Sequence, residues 1–115
     1  MTRVADVSAA HRKILALLGL GVRGRRAVVG VEQVRVAAKK GKLVFAVVAP
    51  DASQNSLDKV VPLLRARQIH FVEGPSAALL GAAVGREATA VVGITDHALA
   101  RGLRAAAGSS PGGAQ

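Results

Sequence analysis

Apolar positions along this chain alternate between two periods. Over residues 8–20, Ile14, Leu17 and Leu18 share a helical stripe, Arg12 and Lys13 fall elsewhere, and Ser8 precedes the stripe as an N-cap. Gly19 and Gly21 predict the end of that helix. Ala27-Val28-Val29 reads as a short strand between Arg25-Arg26 and Gly30. Val34, Ala37 and Ala38 then share a helical face up to Gly41, with Arg35, Lys39 and Lys40 largely off it. Leu43 to Ala49 is an unbroken apolar run rich in β-branched residues, the pattern of a central strand covered on both faces.

Beyond the turn Pro50-Asp51-Ala52-Ser53, residues Leu57, Val60, Val61 and Leu64 repeat at helical spacing. Pro62 lies inside this helix, where it removes a hydrogen bond and crowds the preceding turn, so a local kink or a late helix start is expected. Ile69 to Val72 predicts a third strand, Ser76 caps a short helix through Val84, and Ala90 to Ile94 predicts a fourth strand. A last helix over about 96–106, starting at Thr95 or Asp96, is expected to bury Leu99 and Leu103. Helices alternating with four short apolar strands predict an α/β fold: a three-layer α/β/α sandwich around a mostly four-stranded mixed sheet. The expected organisation is a flexible segment 1–7, one domain over 8–106, and a tail over 107–115 whose Gly, Ser and Pro residues have nothing to pack.

Composition narrows the chemistry. With 115 residues there is room for one domain. The chain has no cysteine, which excludes disulfides and thiol chemistry, and its three histidines, His11, His70 and His97, are scattered. No apolar run reaches the roughly 20 residues needed to span a bilayer, and the N-terminus lacks an apolar signal core. A cytoplasmic protein without membrane contact is the expectation.

The net charge of +9 is unevenly placed: residues 1–42 hold ten basic groups against two acidic ones, and residues 43–115 hold six against five. Seven basic groups between Arg23 and Lys42, opposed only by Glu32, predict a positive patch suited to phosphate.

No catalytic constellation emerges. The glycines at 19, 21 and 24 follow a helix instead of a strand and lack the phosphate-loop pattern. Asp96-His97 reads as a helix cap beside an exposed imidazole, and Ser53 as a turn serine serving the backbone. No enzyme activity, metal or cofactor is expected. The passage from strand to helix at Gly30-Val31-Glu32-Gln33-Val34-Arg35 is more informative. Amides at a helix start receive phosphates or base edges, and Gly30 lets an RNA backbone approach. Phe45 and Phe71 both lie in core-like strands, which leaves no stacking platform and favours folded RNA over single strands.

The chain resembles the ribosomal protein L7Ae/L30e/S12e/Gadd45 superfamily, in particular its small bacterial L7Ae-like members. The resemblance covers roughly residues 8–106. It rests on Leu15 to Gly30, on Leu43 to Ser56, and on Leu80-Gly81 followed by Gly85 and Ala90 to Asp96. It implies the same sandwich and binding of kink-turn or related RNA. The family loop after the first strand reads roughly Gly-x-Asn-Glu-x-x-Lys. Here Gly30 matches the glycine, Glu32 and Gln33 replace the asparagine and glutamate, and Val36 stands where the lysine would be. A second family RNA loop falls at Arg86-Glu87-Ala88-Thr89.

The expected RNA-binding residues are therefore Arg23, Arg25, Arg26, Gly30, Glu32, Gln33, Arg35, Lys39, Arg86 and Glu87, in a protein that is monomeric when free. The expected partner is structured RNA, ribosomal or otherwise non-coding, with ribosomal proteins as further candidates. Two functions stay open: RNA binding on a ribosomal or ribonucleoprotein particle, and a protein-interaction scaffold whose RNA-reading loop has drifted.

Overall fold

The computed structural model describes residues 8–108. The expectations for 1–7 and for 109–115 lie outside the described residues. Nine elements follow one another: α1 (Ala9–Arg23), β1 (Ala27–Val29), α2 (Val31–Lys39), β2 (Phe45–Val48), α3 (Gln54–Ala66), β3 (Phe71–Glu73), α4 (Ala77–Ala83), β4 (Val91–Ile94) and α5 (His97–Gly108). The strands form one sheet in the order β1-β4-β2-β3. β4 is antiparallel to both β1 and β2, while β2 and β3 are parallel, which gives the mixed four-stranded sheet.

Alternation along β2 divides the core in two. Phe45, Val47 and Ala49 face α1, α4 and α5 with Ile14, Leu18, Leu80 and Leu103. Ala46 and Val48 face α2 and α3 with Val34, Ala38, Val60 and Leu64. Every residue of β2 and β4 is buried, as expected for inner strands covered on both sides. Gly93 of β4 has a separate role: a side chain there would run into Leu43 and Val34, so its absence lets α2 close on the sheet.

The caps expected at Ser8, Ser76 and Asp96 are present, and Ser53, expected only to serve the backbone of its turn, caps α3. Ser8, Ser53 and Ser76 each accept from the amide three residues on, and the Asp96 carboxylate accepts from the Leu99 amide at 2.8 Å. α5 starts at His97 and continues to Gly108, two residues past the expected end. β3 begins at Phe71, two residues later than the sequence pattern suggests.

Two expectations are corrected. Gly19 and Gly21 do not end α1; both are buried within it. A side chain at Gly19 would press on the Ala83 carbonyl, and one at Gly21 on Leu99, so these glycines admit α4 and α5 close to α1. Close helix packing outweighs the roughly 1 kcal/mol by which a helical glycine is disfavoured. α3, in turn, does not start late. It begins at Gln54 and contains Pro62 at an exposed position.

Helices α1 to α4 share one C-terminal device. Arg26 donates to the Gly21 carbonyl and Arg25 to Val22; Lys42 donates to Ala37 and Gly41 to Ala38. Ile69 to Leu64 with Gln68 to Arg65, and Arg86 to Gly81 with Gly85 to Ala82, repeat the pair. This is the Schellman closure, whose penultimate residue needs a positive φ. Gly41 and Gly85 supply it at no steric cost, whereas α1 and α3 use Arg25 (φ 61°) and Gln68 (φ 57°).

Val47 is fully buried in the middle of β2. Val47→Asp places an unpaired carboxylate there, at a cost of at least ~4 kcal/mol, a large part of the stability of a domain this size. The variant is expected to be unfolded, or to melt far below the parent, by circular dichroism; parental melting would overturn the placement of β2.

Candidate nucleic-acid interface

Strand directions give the sheet two distinct ends. At one end lie the C-termini of β1, β2 and β3 and the start of β4. Gly30 donates to Val91, Ala49 to Ala90, and Gly74 to Val48. α2, α3 and α4 all begin here, behind Gly30, Ser53 and Ser76. α1 also starts on this side, since the His11 imidazole lies beside Gly74.

Gly30 is the N-cap of α2 and has φ 95° and ψ 161°, a conformation essentially confined to glycine. A β-carbon there would meet nothing within 4 Å, so the approach to it is open. No side chain caps α2. The amides of its first turn have no acceptor within the helix and carry the positive end of its dipole. Glu32 and Gln33 are exposed in this turn.

The loop into β4 adjoins the same end. Thr89 is the buried polar residue among those described; its amide donates to Ala77 and its hydroxyl to the Glu87 carbonyl. Gly81 fits the loop against α4, because a side chain there would run into the carbonyl of Glu87. Asp51, reaching over from the turn after β2, accepts from the Ala77 amide at 2.8 Å. A shallow hollow between Asp51, Ser53, Ser56, Ala88 and Thr89 completes this end.

Gly30, Glu32, Gln33, Arg86 and Glu87 are thus brought to one end of the molecule. The remaining expected site residues lie elsewhere. Arg23, Arg25 and Arg26 precede β1, and the Arg26 carbonyl accepts from Thr95 at the other end of the sheet. Four residue steps of strand separate Arg26 from Gly30 by roughly 13 Å. Lys39 ends α2 on that far side. Arg35 lies between the two groups: its guanidinium donates to the Lys59 carbonyl at 2.6 Å and ties α2 to α3.

Residues without a signal in the sequence pattern also contribute. Asp51 orders the start of α4, and Arg67 donates to the Lys39 carbonyl at 3.4 Å, joining the ends of α2 and α3. Neither pairing has a local signal, since each spans more than twenty residues. Among the described residues, no group of three or more His, Cys, Asp or Glu is placed to hold a metal ion, and no helix is long and apolar enough to cross a membrane.

The sequence pattern of the ribosomal protein L7Ae/L30e/S12e/Gadd45 family matches residues 12–103, and the chain belongs to that family. Among characterised proteins it is 32% identical over 87 residues to the RNA-binding protein YlxQ of Bacillus subtilis, covering 76% of this chain and 87% of the relative. A Bacillus halodurans protein of unknown function superposes with a TM-score of 0.75 at 31% identity, over 82% of this chain and 95% of that one. The Giardia lamblia 15.5kD RNA binding protein gives the same TM-score at 20% identity, over 89% and 88% of the two chains, which is a likeness of fold.

Gly30→Ala tests the loop geometry. The space is open, so the cost is backbone strain alone, and a drop of about 1–3 kcal/mol in urea unfolding is expected. A change under about 0.5 kcal/mol, the range of an unremarkable surface substitution, would show that the loop relaxes freely.

Proposed function

We propose that this protein binds structured, kink-turn-like RNA at the Gly30 end of its sheet and acts on a ribosomal or ribonucleoprotein particle in the cytoplasm. The observation that carries the reading is the convergence at one end of the open Gly30, the uncapped start of α2 and the packed loop ahead of β4. The name of the Bacillus subtilis relative supports it.

In this reading the first-turn amides of α2 receive a phosphate or a base edge, and Gln33 offers both a donor and an acceptor to an exposed base. Binding, not bond-making, is the chemistry available: Ser53 and Ser76 cap helices, and Asp51 holds the Ala77 amide.

Glu32 sets the limit on affinity. It is exposed in the first turn, favourable to the helix dipole but repulsive to a phosphate at the same place. Glu73, Glu87 and Asp51 lie at the same end, against Arg86. A second reading, a protein-binding scaffold, rests on Val36: it is 46% exposed and stands where the family lysine would reach RNA.

Titration against a kink-turn RNA, a straight RNA duplex of equal length and DNA separates the readings. A preference for the kinked RNA is expected, and equal weak binding to all three would overturn it. Gln33→Ala is expected to lower that preference by about 1–3 kcal/mol, the worth of a bidentate pairing with a base. Glu32→Asn is expected to tighten kink-turn binding selectively. Uniform tightening would mean charge relief alone, and no change on any RNA would favour the scaffold.

A further inference from the structure

Charge is sorted by the fold. The end of the sheet opposite Gly30 collects the C-termini of α1, α2 and α3 and the chain just before β1 and β2. Arg23, Arg25 and Arg26 arrive from α1, Lys39, Lys40 and Lys42 from α2, and Arg67 from α3. All seven are exposed. The Arg67–Lys39 hydrogen bond joins the ends of α3 and α2 on one face of the sheet, and the hydrogen bond from the Thr95 amide to the Arg26 carbonyl fixes the end of α1 to the end of β4. Among the described residues, the acid at this end is Asp96, and its carboxylate accepts from the Leu99 amide. The Gly30 end instead gathers Glu32, Asp51, Glu73 and Glu87 against Arg86.

A basic residue at a helix C-terminus is favourable to the dipole without any ligand, so position alone would explain some of these charges. Arg25 goes further. It occupies the left-handed position of the α1 closure, where α2 and α4 use glycine and α3 uses Gln68, and an L-residue is strained there. Gly24 stands one position too early to relieve it. Among the described residues, the Arg25 side chain makes no ion pair or hydrogen bond that would compensate. A strained arginine at the solvent-exposed surface, amid six other cations, is a feature that folding does not require.

We propose that this end is a second RNA-binding surface, distinct from the Gly30 end, which grips phosphates without reading bases. β1 and β2 are two strand spacings apart, about 10 Å, and Arg67 lies further out beyond β2. The cations therefore span several phosphates. Among the described residues, the exposed aromatic rings at this end are the imidazoles of His70, which already lies against Phe45, and His97, with no exposed phenylalanine. This favours the backbone of a duplex over stacked single-stranded bases. One molecule then holds two RNA segments, one at each end of the sheet. The idea that both ends engage RNA rests on the proposed function; the presence of the second surface does not.

The test uses the full chain and a straight RNA duplex, titrated over a range of salt. Replacing Arg25, Arg26, Lys40 and Lys42 by alanine is expected to weaken duplex binding about tenfold or more. The slope of log affinity against log salt should shrink by roughly 0.9 for each phosphate no longer neutralised. Lysine at 25 and 26 should restore most of the affinity, and the alanine variant should keep its preference for kink-turn RNA. Wild-type protein on an immobilised kink-turn RNA should capture a free labelled duplex, and the alanine variant should not.

Arg25→Gly is the sharpest variant: it removes the strain, so melting should rise by a few degrees while duplex affinity falls severalfold. Duplex binding unchanged in both the alanine variant and Arg25→Gly would overturn the proposal. So would stronger binding to phosphatidylserine vesicles than to duplex. If wild type shows no preference for kinked RNA, the Gly30 reading fails, and the duplex arm still decides the second surface.

Discussion

Two strands with no face toward water set the terms for everything else in this molecule. β2 and β4 bury all their side chains, Phe45, Val47, Val92 and Ile94 on one side and Ala46, Val48 and Val91 on the other. Each face therefore needs its own layer of helices, and the helices must approach closely, because the side chains between them are small. Glycines at 19, 21, 81 and 93 serve that approach, each where a β-carbon would strike a neighbouring element.

This packing also creates the polarity of the molecule. β1, β2 and β3 run the same way and are each followed by a helix, so three helix starts collect at one end of the sheet. Three helix ends collect at the other. Starts present amides and favour acids in their first turn; ends present carbonyls and favour Lys and Arg. The separation of Glu32 from Arg23, Arg25, Arg26 and Lys39 follows from that arrangement. It turns a charge excess in the first 42 residues into a surface with a definite location. Dipole preference accounts for the direction of the sorting and leaves unexplained why Arg25 takes a glycine's conformation.

Much of the fold was legible because the relevant signals are local. A run such as Leu43 to Ala49 has no polar residue to turn toward solvent, which demands cover on both sides. Serines before apolar periodicity announced the helix starts at Ser8 and Ser76; Ser53, legible only as a turn serine, proves to cap α3 as well. The loop at Gly30 was legible for the same reason, as a glycine between a β-branched run and a helical stripe. Gly19 and Gly21 misled because a glycine that breaks a helix and one that lets another helix in look identical along a chain. Only the presence of Leu99 and Ala83 against them distinguishes the two.

By itself the sequence determined which residues are apolar enough to be withdrawn from water, with what period, and how much positive charge the chain has. Those properties depend on neighbours a few residues away, through backbone geometry that is the same in every protein. Tertiary structure alone decided which residues meet. The strand order β1-β4-β2-β3 put Gly30 beside Val91 and sent Arg26 to the opposite end, although four positions separate them in the chain. It set Arg67 against Lys39 and Asp51 against Ala77, over 28 and 26 positions. A strand carries its two ends apart by its own length, and a sheet joins distant segments through hydrogen bonds between backbones. Neither the distance nor the pairing is written in the identity of the side chains.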